Sequence, residues 1–257
     1  MEFKQLNIIP EISDLKRSME IAKKYNCGFE YQDFFIPDIL DNESKIKELT
    51  NTYLSNKLNY STFHGAFFDV TIFSDDSMIK KASDYRVTQS LQIANKLGSM
   101  GIVFHTNYIA NFNIQSYRNN WVKRNCEYWK EKLHEFPEIE IYIENMFDDT
   151  PDLLAELGRE MEDEPRFGIC FDYAHAHAFG DETKIDEWVE KLAPYVKHIH
   201  INDNNFEADL HLPVGDGKID WDKFKINYEK YMCDASVLIE HKNNDNIEKS
   251  LDFLKKL

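Results

Sequence analysis

The sequence predicts an α/β chain folded as a single (β/α)8 barrel. Three observations predict it. Eight short apolar stretches alternate with eight longer ones of helical periodicity. The length, 257 residues, is that of one such barrel. No linker, low-complexity tract or change of composition divides 1–257, so the whole span is expected to be one domain. A doubly wound open sheet shares the alternation, but no glycine-rich GxGxxG or GxxxxGK loop follows any strand to support its nucleotide-binding form.

Taken in order, residues 3–9 form a strand ending at Pro10, and 12–25 carry Leu15, Met19, Ile21 and Ala22 at helical spacing. Residues 28–34 read as a second strand and 43–58 as a helix with Asn42 or Ser44 near its cap. The third strand, 59–65, ends in "TFHG"; its helix, 77–97, closes at Gly98. "GIVFHTN" (101–107) is the fourth strand, followed by a helix over about 114–136 and the breaker Pro137. "IEIYIEN" (139–145) is the fifth, with Pro151 near the first turn of a helix running to about 161. "FGICFDY" (167–173) is the sixth, with a helix from about 183 to 192. Residues 196–203 form the seventh, with a helix starting near 220; 236–242 form the eighth, and 247–257 the closing helix.

Composition narrows the function classes. Apolar residues make up 42% and aromatics 14%, as in a globular chain. The formal charge is −16, from 46 acidic against 30 basic residues; this field repels a phosphate backbone, and no Lys/Arg cluster overrides it, so nucleic acid is a disfavoured partner. No apolar run is long enough for a membrane span and "MEFKQLNIIP" lacks a signal-peptide pattern, so a cytoplasmic location is expected. Cys27, Cys126, Cys170 and Cys233 are scattered with no CxxC pair, against both a disulfide framework and a thiolate zinc site.

The stretch "HIHINDNNFEADLHLPVGDG" (198–217) holds the densest polar chemistry. Two-residue alternation puts Ile199 and Ile201 on one face of a strand and His198, His200 and Asn202 on the other, and Asp209 and His211 follow in a turn-rich run. Imidazole and carboxylate together suit a divalent ion such as zinc, manganese or iron. Similar residues stand at other strand ends: His64, His105, Glu144, Asp172 with His175 three residues later, and Glu240. In a barrel the chemistry lies at the C-terminal ends of the strands, and buried groups of this kind need a partner or a metal to offset desolvation. Five histidines and four carboxylates exceed the ligand count of one ion. Of the remaining histidines, His134 reads as solvated at a helix end, His177 and His241 as neighbours of the ligands, and His198 as a buried hydrogen-bonding partner. Phe67, Phe68, Tyr108 and Phe179 follow ligand-bearing strands and are candidate walls of a substrate cavity, with Trp221 and the loop after Asp69 also able to shape it.

"TFHGAF", "GIVFHTN", "IYIEN", "FGICFDYAHAHAFG", "HIHIND", "DLHLPVGDGKIDW" and "VLIEH", in this order, resemble the superfamily that joins xylose isomerase-like sugar isomerases and epimerases with endonuclease IV, across essentially the whole chain. The resemblance implies a TIM barrel with a divalent ion held by Glu144, Asp172, His200 and Glu240. By the endonuclease pattern it also implies that His64, His105, His175, Asp209 and His211 complete a cluster of two or three ions. It leads to a sugar or sugar-phosphate isomerase or epimerase working through an enediolate, with Glu144 and Glu240 as the acid–base pair and His105, His175 and Phe67 able to contact substrate. The alternative is a multinuclear phosphoester hydrolase, or a related metal-dependent lyase or dehydratase. Two departures bear on the choice: the link from His200 to Asp209 is short and acidic where the endonuclease has a longer basic loop, and it lacks the arginine that many epimerases carry there. A small-molecule substrate is expected and a homo-oligomer is possible.

Overall fold

The computed structural model describes residues 1–112, 114–181 and 184–257. Eight strands run in chain order around a closed, parallel barrel, with β8 returning to β1. They are β1 (Leu6–Ile8), β2 (Cys27–Tyr31), β3 (Ser61–His64), β4 (Gly101–His105), β5 (Glu140–Glu144), β6 (Phe167–Asp172), β7 (Val196–Ile201) and β8 (Ser236–Ile239). The helices are α1 (Leu15–Tyr25), α2 (Pro37–Leu40), α3 (Glu43–Ser55), α4 (Ser77–Leu97), α5 (Gln115–Glu135), α6 (Asp152–Glu160), α7 (Tyr173–Ala178), α8 (Ile185–Leu192), α9 (Trp221–Asn227) and α10 (Asn244–Leu254). None of the described helices is long and apolar enough to cross a membrane.

Local chemistry sets the boundaries. Asn42 accepts from Lys45 N and starts α3, and Asp76 accepts from Met78 N and Ile79 N to start α4. Gly98, at φ 68°, ends α4 in the left-handed conformation. The helix expected over 12–25 is split, because Asp14 caps α1 through Arg17 N and leaves Ile12–Asp14 as a 3-10 turn. The second strand is shorter than expected: after Tyr31 the chain turns through a 3-10 segment, Asp33–Phe35, into α2, where Pro37 sits at the first position. α7 has no counterpart among the expected helices. It forms because Asp172, the last residue of β6, accepts a hydrogen bond from His175 N at 2.6 Å and acts as its N-cap. The expected start of the next helix at Thr183 lies outside the described residues.

Alternation along the strands divides the buried residues into two populations. Phe29, Phe63, Phe104, Ile143, Phe171, Ile199 and Ile239 point outward and pack under the helices, where Phe104 stacks on Trp129 and Phe171 on Trp188. Inside the barrel, Val103, Tyr142 and Cys170 form a small separate apolar group. The other inward positions include Asn7, Glu30, Thr62, His198 and Ser236, all buried and polar.

Register then brings the strand ends level. His105 lies opposite Glu144, and Asp172 opposite His200. The second pairing depends on an irregularity lower in the sheet, where Ile169 pairs with Val196 but Cys170 with His198, so that Lys197 is an extra residue in β7. Just past β3, a side chain at Gly65 would come within 2.3 Å of the Phe104 ring, so the chain leaves the barrel there only as glycine.

Because the apolar core lies between sheet and helices, removing a buried methyl-rich side chain from that layer destabilises the barrel directly. Ile199→Ala is expected to lower stability by about 3 kcal/mol, read as a fall in the urea midpoint at unchanged slope.

Candidate metal centre

All nine predicted positions converge at the C-terminal mouth of the barrel. His64, His105 and Glu144 end β3, β4 and β5; Asp172 ends β6; His175 is in α7; His200 is in β7; Glu240 follows β8; Asp209 and His211 come from the loop after β7. They fall into three groups in which ligand atoms lie within 4.8 Å of one another: His64, His105 and Glu144; Glu144, Asp172, His200 and Glu240; and His175, Asp209 and His211. Glu144 belongs to two groups. One of its oxygens is 3.3 Å from His105 Nε2 and 3.7 Å from His64 Nε2; the other is 3.3 Å from His200 Nδ1 and 3.5 Å from His175 Nδ1.

The hydrogen bonds prepare these atoms for a cation. His64, His175 and His211 each direct Nδ1 to a backbone carbonyl, of Gly65 (3.0 Å), Asn145 (2.9 Å) and Glu240 (3.3 Å) respectively. With the Nδ1 proton donated there, the Nε2 lone pairs face inward, the arrangement a metal-binding imidazole requires. His64 Nε2 and His105 Nε2 stand 3.1 Å apart, and Asp209 Oδ2 lies 3.4 Å from His175 Nε2 and 3.0 Å from His211 Nε2. Asp172 caps α7 with Oδ1, while its Oδ2 turns to the cluster. Both Glu144 oxygens, Asp172 Oδ2, His175 Nε2, both His200 nitrogens and Asp209 Oδ1 are buried without a hydrogen bond. Such atoms are costly unless something positive sits among them, and the donor set of imidazole and carboxylate fits zinc, manganese or iron.

Electrostatics agree. Burial acts to raise the Glu144 pKa, but the neighbouring His200 and His105 imidazoles outweigh it and hold the carboxyl well below its usual range. Burial, with Glu240 and Glu144 nearby, pushes Asp172 up to about 7. Burial would lower His211, yet Glu240 and Asp209 bring it up to about 10, so at neutral pH its Nε2 carries a proton that an incoming ion must displace.

The loop carrying Asp209 and His211 hangs on Asp203. This buried carboxylate accepts from Gly215 N (2.9 Å), Ile219 N (3.2 Å) and Trp221 Nε1 (2.8 Å), and its backbone pairs with Leu212 in both directions. His211 takes φ 45° and Gly215 φ 91° in this loop. Trp221 is therefore a buried anchor of the loop, packed on Phe224, and does not line the cavity.

A cavity of about 360 Å³ opens above the cluster, walled by Phe35, Phe67, Met146 and Lys242 beside the ligands. Phe67 stacks on His105 at 4.5 Å. Phe68 is 56% exposed, Tyr108 stacks on Tyr117, and Phe179 packs edge-on against Phe147; none of the three lines the cavity. His177 bonds the Tyr173 carbonyl, His134 is exposed, and His241 is buried at the cavity edge. His198 meets Ser236 Oγ at 2.7 Å and Glu30 Oε2 at 3.0 Å, so the further grouping of Cys170, His198 and His200 has its central imidazole already occupied. Glu30, Gln32, Phe35, Asp203 and Lys242 were not singled out by sequence. The alternation of Phe29 and Tyr31 with Glu30 and Gln32, along β2 and the residue that follows it, is the signal that marks two of them as inward-facing.

Residues 20–257 match the family model described as a xylose isomerase-like TIM barrel. The chain belongs to that family. An uncharacterized protein of Methanocaldococcus jannaschii is 27% identical over 200 residues, which cover 75% of this chain and 68% of that protein. A solved D-tagatose 3-epimerase-like protein superposes with TM-score 0.75 at 25% identity, covering 98% of this chain and 96% of its own. Endonuclease IV from Thermus thermophilus superposes with TM-score 0.64 at 14% identity, covering 98% and 100%. The IOLI protein, solved with a zinc atom, gives 0.68 at 17%, covering 98% and 95%. The last two likenesses are likenesses of fold.

Two outcomes follow from this geometry. Zinc affinity is expected to rise steadily with pH between about 6 and 8, since the proton on Asp172, lost near 7, and that on His211, held to about 10, both compete with the ion; isothermal titration across this range measures the rise. Asp203→Ala is expected to cost about 2–4 kcal/mol, because it leaves buried donors unmatched, and to release the Asp209–His211 loop to proteolysis while the barrel stays folded.

Proposed function

We propose that the chain is a metal-dependent enzyme whose multinuclear centre hydrolyses a phosphoester in a compact substrate. The observation that carries this reading is the set of three contiguous ligand groups, two of them joined through Glu144. A four-residue site accounts for Glu144, Asp172, His200 and Glu240 alone; it gives His64, His105, His175, Asp209 and His211 no reason to direct their ligand atoms to the same place.

Divalent ions bound there would supply Lewis acidity and a reactive water for in-line displacement at phosphorus. The chain's own groups do the rest. Glu144 links the two ligand groups it belongs to, and the backbone-anchored imidazoles keep their geometry as charge changes at the centre. Phe35 and Phe67 present apolar faces that exclude water from one side. Lys242, whose Nζ lies 4.7 Å above the Phe35 ring, is the one lysine or arginine among the described residues lining the cavity, and can hold an anionic substrate group at the mouth. The volume of about 360 Å³ and the charge of −16 favour a small phosphoester over duplex DNA.

A second reading is favoured by the likeness to the D-tagatose 3-epimerase-like protein. In it the chain is a sugar or sugar-phosphate isomerase or epimerase, Glu144 and Glu240 move the protons, and His105, His175 and Phe67 contact the substrate.

Metal content and turnover distinguish the two. For hydrolysis, protein purified without added chelator should hold two or three ions per chain, and His64→Ala should remove one and lower turnover of aryl phosphodiesters at least 100-fold, with abasic-site duplex a poorer substrate. A single ion, lost with Glu240→Ala and kept with His64→Ala, would sink the hydrolase reading and leave ketose epimerisation, which Glu144→Gln should then abolish.

A further inference from the structure

Below the ligand cluster, inside the barrel, lies a network centred on Glu30 of β2. Its carboxylate is fully buried and surrounded by groups able to donate. Thr62 Oγ1 reaches Oε2 at 2.8 Å, and His198 Nε2 reaches the same oxygen at 3.0 Å. Gln32 Nε2 reaches Oε1 at 3.2 Å, and His200 Nε2 stands 3.3 Å from it. A buried carboxylate so placed keeps its charge and orders the protons around it.

Two of these contacts lead into the metal centre. A negative charge 3.3 Å from His200 Nε2 favours the tautomer with its proton on that nitrogen. The lone pair is then on Nδ1, which faces Glu144 Oε1 at 3.3 Å and Glu240 Oε2 at 3.7 Å. The Gln32 amide bridges two acceptors, Glu30 Oε1 and Glu240 Oε1, each at 3.2 Å, so both of its protons are committed and its nitrogen must face them. Glu240 Oε1 is thereby held, and Oε2, which Asn202 meets only at 3.5 Å, is left toward the cluster.

We propose that Glu30 and Gln32 are positioning residues of the metal centre: Glu30 sets the tautomer and ring orientation of His200, and Gln32 fixes the carboxylate of Glu240. One strand and the residue that follows it thus align two ligands of the four-residue group without contributing a ligand. This inference rests on the metal reading above, whichever reaction the centre performs.

Glu30→Gln places an amide where three groups donate and removes the negative charge beside His200 Nε2, and Gln32→Leu removes both bridging protons at similar volume. Each variant is expected to weaken zinc binding at the His200 group 10- to 100-fold, measured by competition with a chromophoric chelator. The visible spectrum of the cobalt-loaded protein should change at the same time, while the ion at the His64 group stays. Far-UV circular dichroism establishes that each variant is folded; if Glu30→Gln does not fold, Gln32→Leu decides. Folded variants with a lower melting temperature but wild-type zinc affinity and cobalt spectrum would overturn the inference and leave the metal reading standing. Wild-type protein that binds no zinc or cobalt would overturn both.

Discussion

Desolvation of charge at the barrel mouth is the constraint to which the rest of the site answers. Glu144 is wholly enclosed, and an isolated carboxylate there would take up a proton rather than remain ionised. Four imidazoles within 3.7 Å of its oxygens reverse that outcome. Each imidazole must then be held, and His64 and His175 are, by donating Nδ1–H to a carbonyl just past the end of a strand, as His211 does beside them. The parallel register makes this possible, because it stops neighbouring strands at one height and turns their last side chains to the same axis. The energetic difficulty is met by positive charge, whether carried by protons on histidine or by a metal ion, and the two compete for the same places.

The two faces of the sheet divide the work between them. Aromatic and branched side chains under the helices form the apolar layer that drives folding. The interior carries polar groups whose worth is orientation. Few apolar contacts support it from within, and its order comes from hydrogen bonds joining β1, β2, β3, β7 and β8 through Asn7, Glu30, Thr62, His198 and Ser236.

Much of this was legible in the sequence. The eight strands showed themselves as apolar runs, and the nine cluster residues as imidazoles and carboxylates where those runs end. The residues that escaped notice are those whose partners lie far away in the chain. Glu30 and Gln32 look like the wet face of an ordinary strand until closure of the barrel turns that face inward, and their partners are 168 and 208 residues distant. Asp203 reads as a strand breaker in "INDNN", although it organises the following loop through Gly215, Ile219 and Trp221. α7 depends on one cap, and a six-residue helix has too little periodicity to announce itself. Tyr108 and Phe68 lie near the cavity by chain position alone, and side-chain direction takes them elsewhere.

Seven of the nine cluster residues sit on or beside the strands and the short helix capped by one of them; Asp209 and His211 belong to a loop tied down by the Asp203 carboxylate and a few backbone bonds, among them the Asp203–Leu212 pair. The two parts therefore differ in how they open. A loop with such an anchor detaches by local unfolding long before the barrel does, so the portion of the centre that it completes can exchange with solvent while the remainder stays assembled. The same division allows heritable variation: changes confined to residues 203–221 can remove or alter the imidazole and carboxylate that this loop brings to the mouth without touching the scaffold.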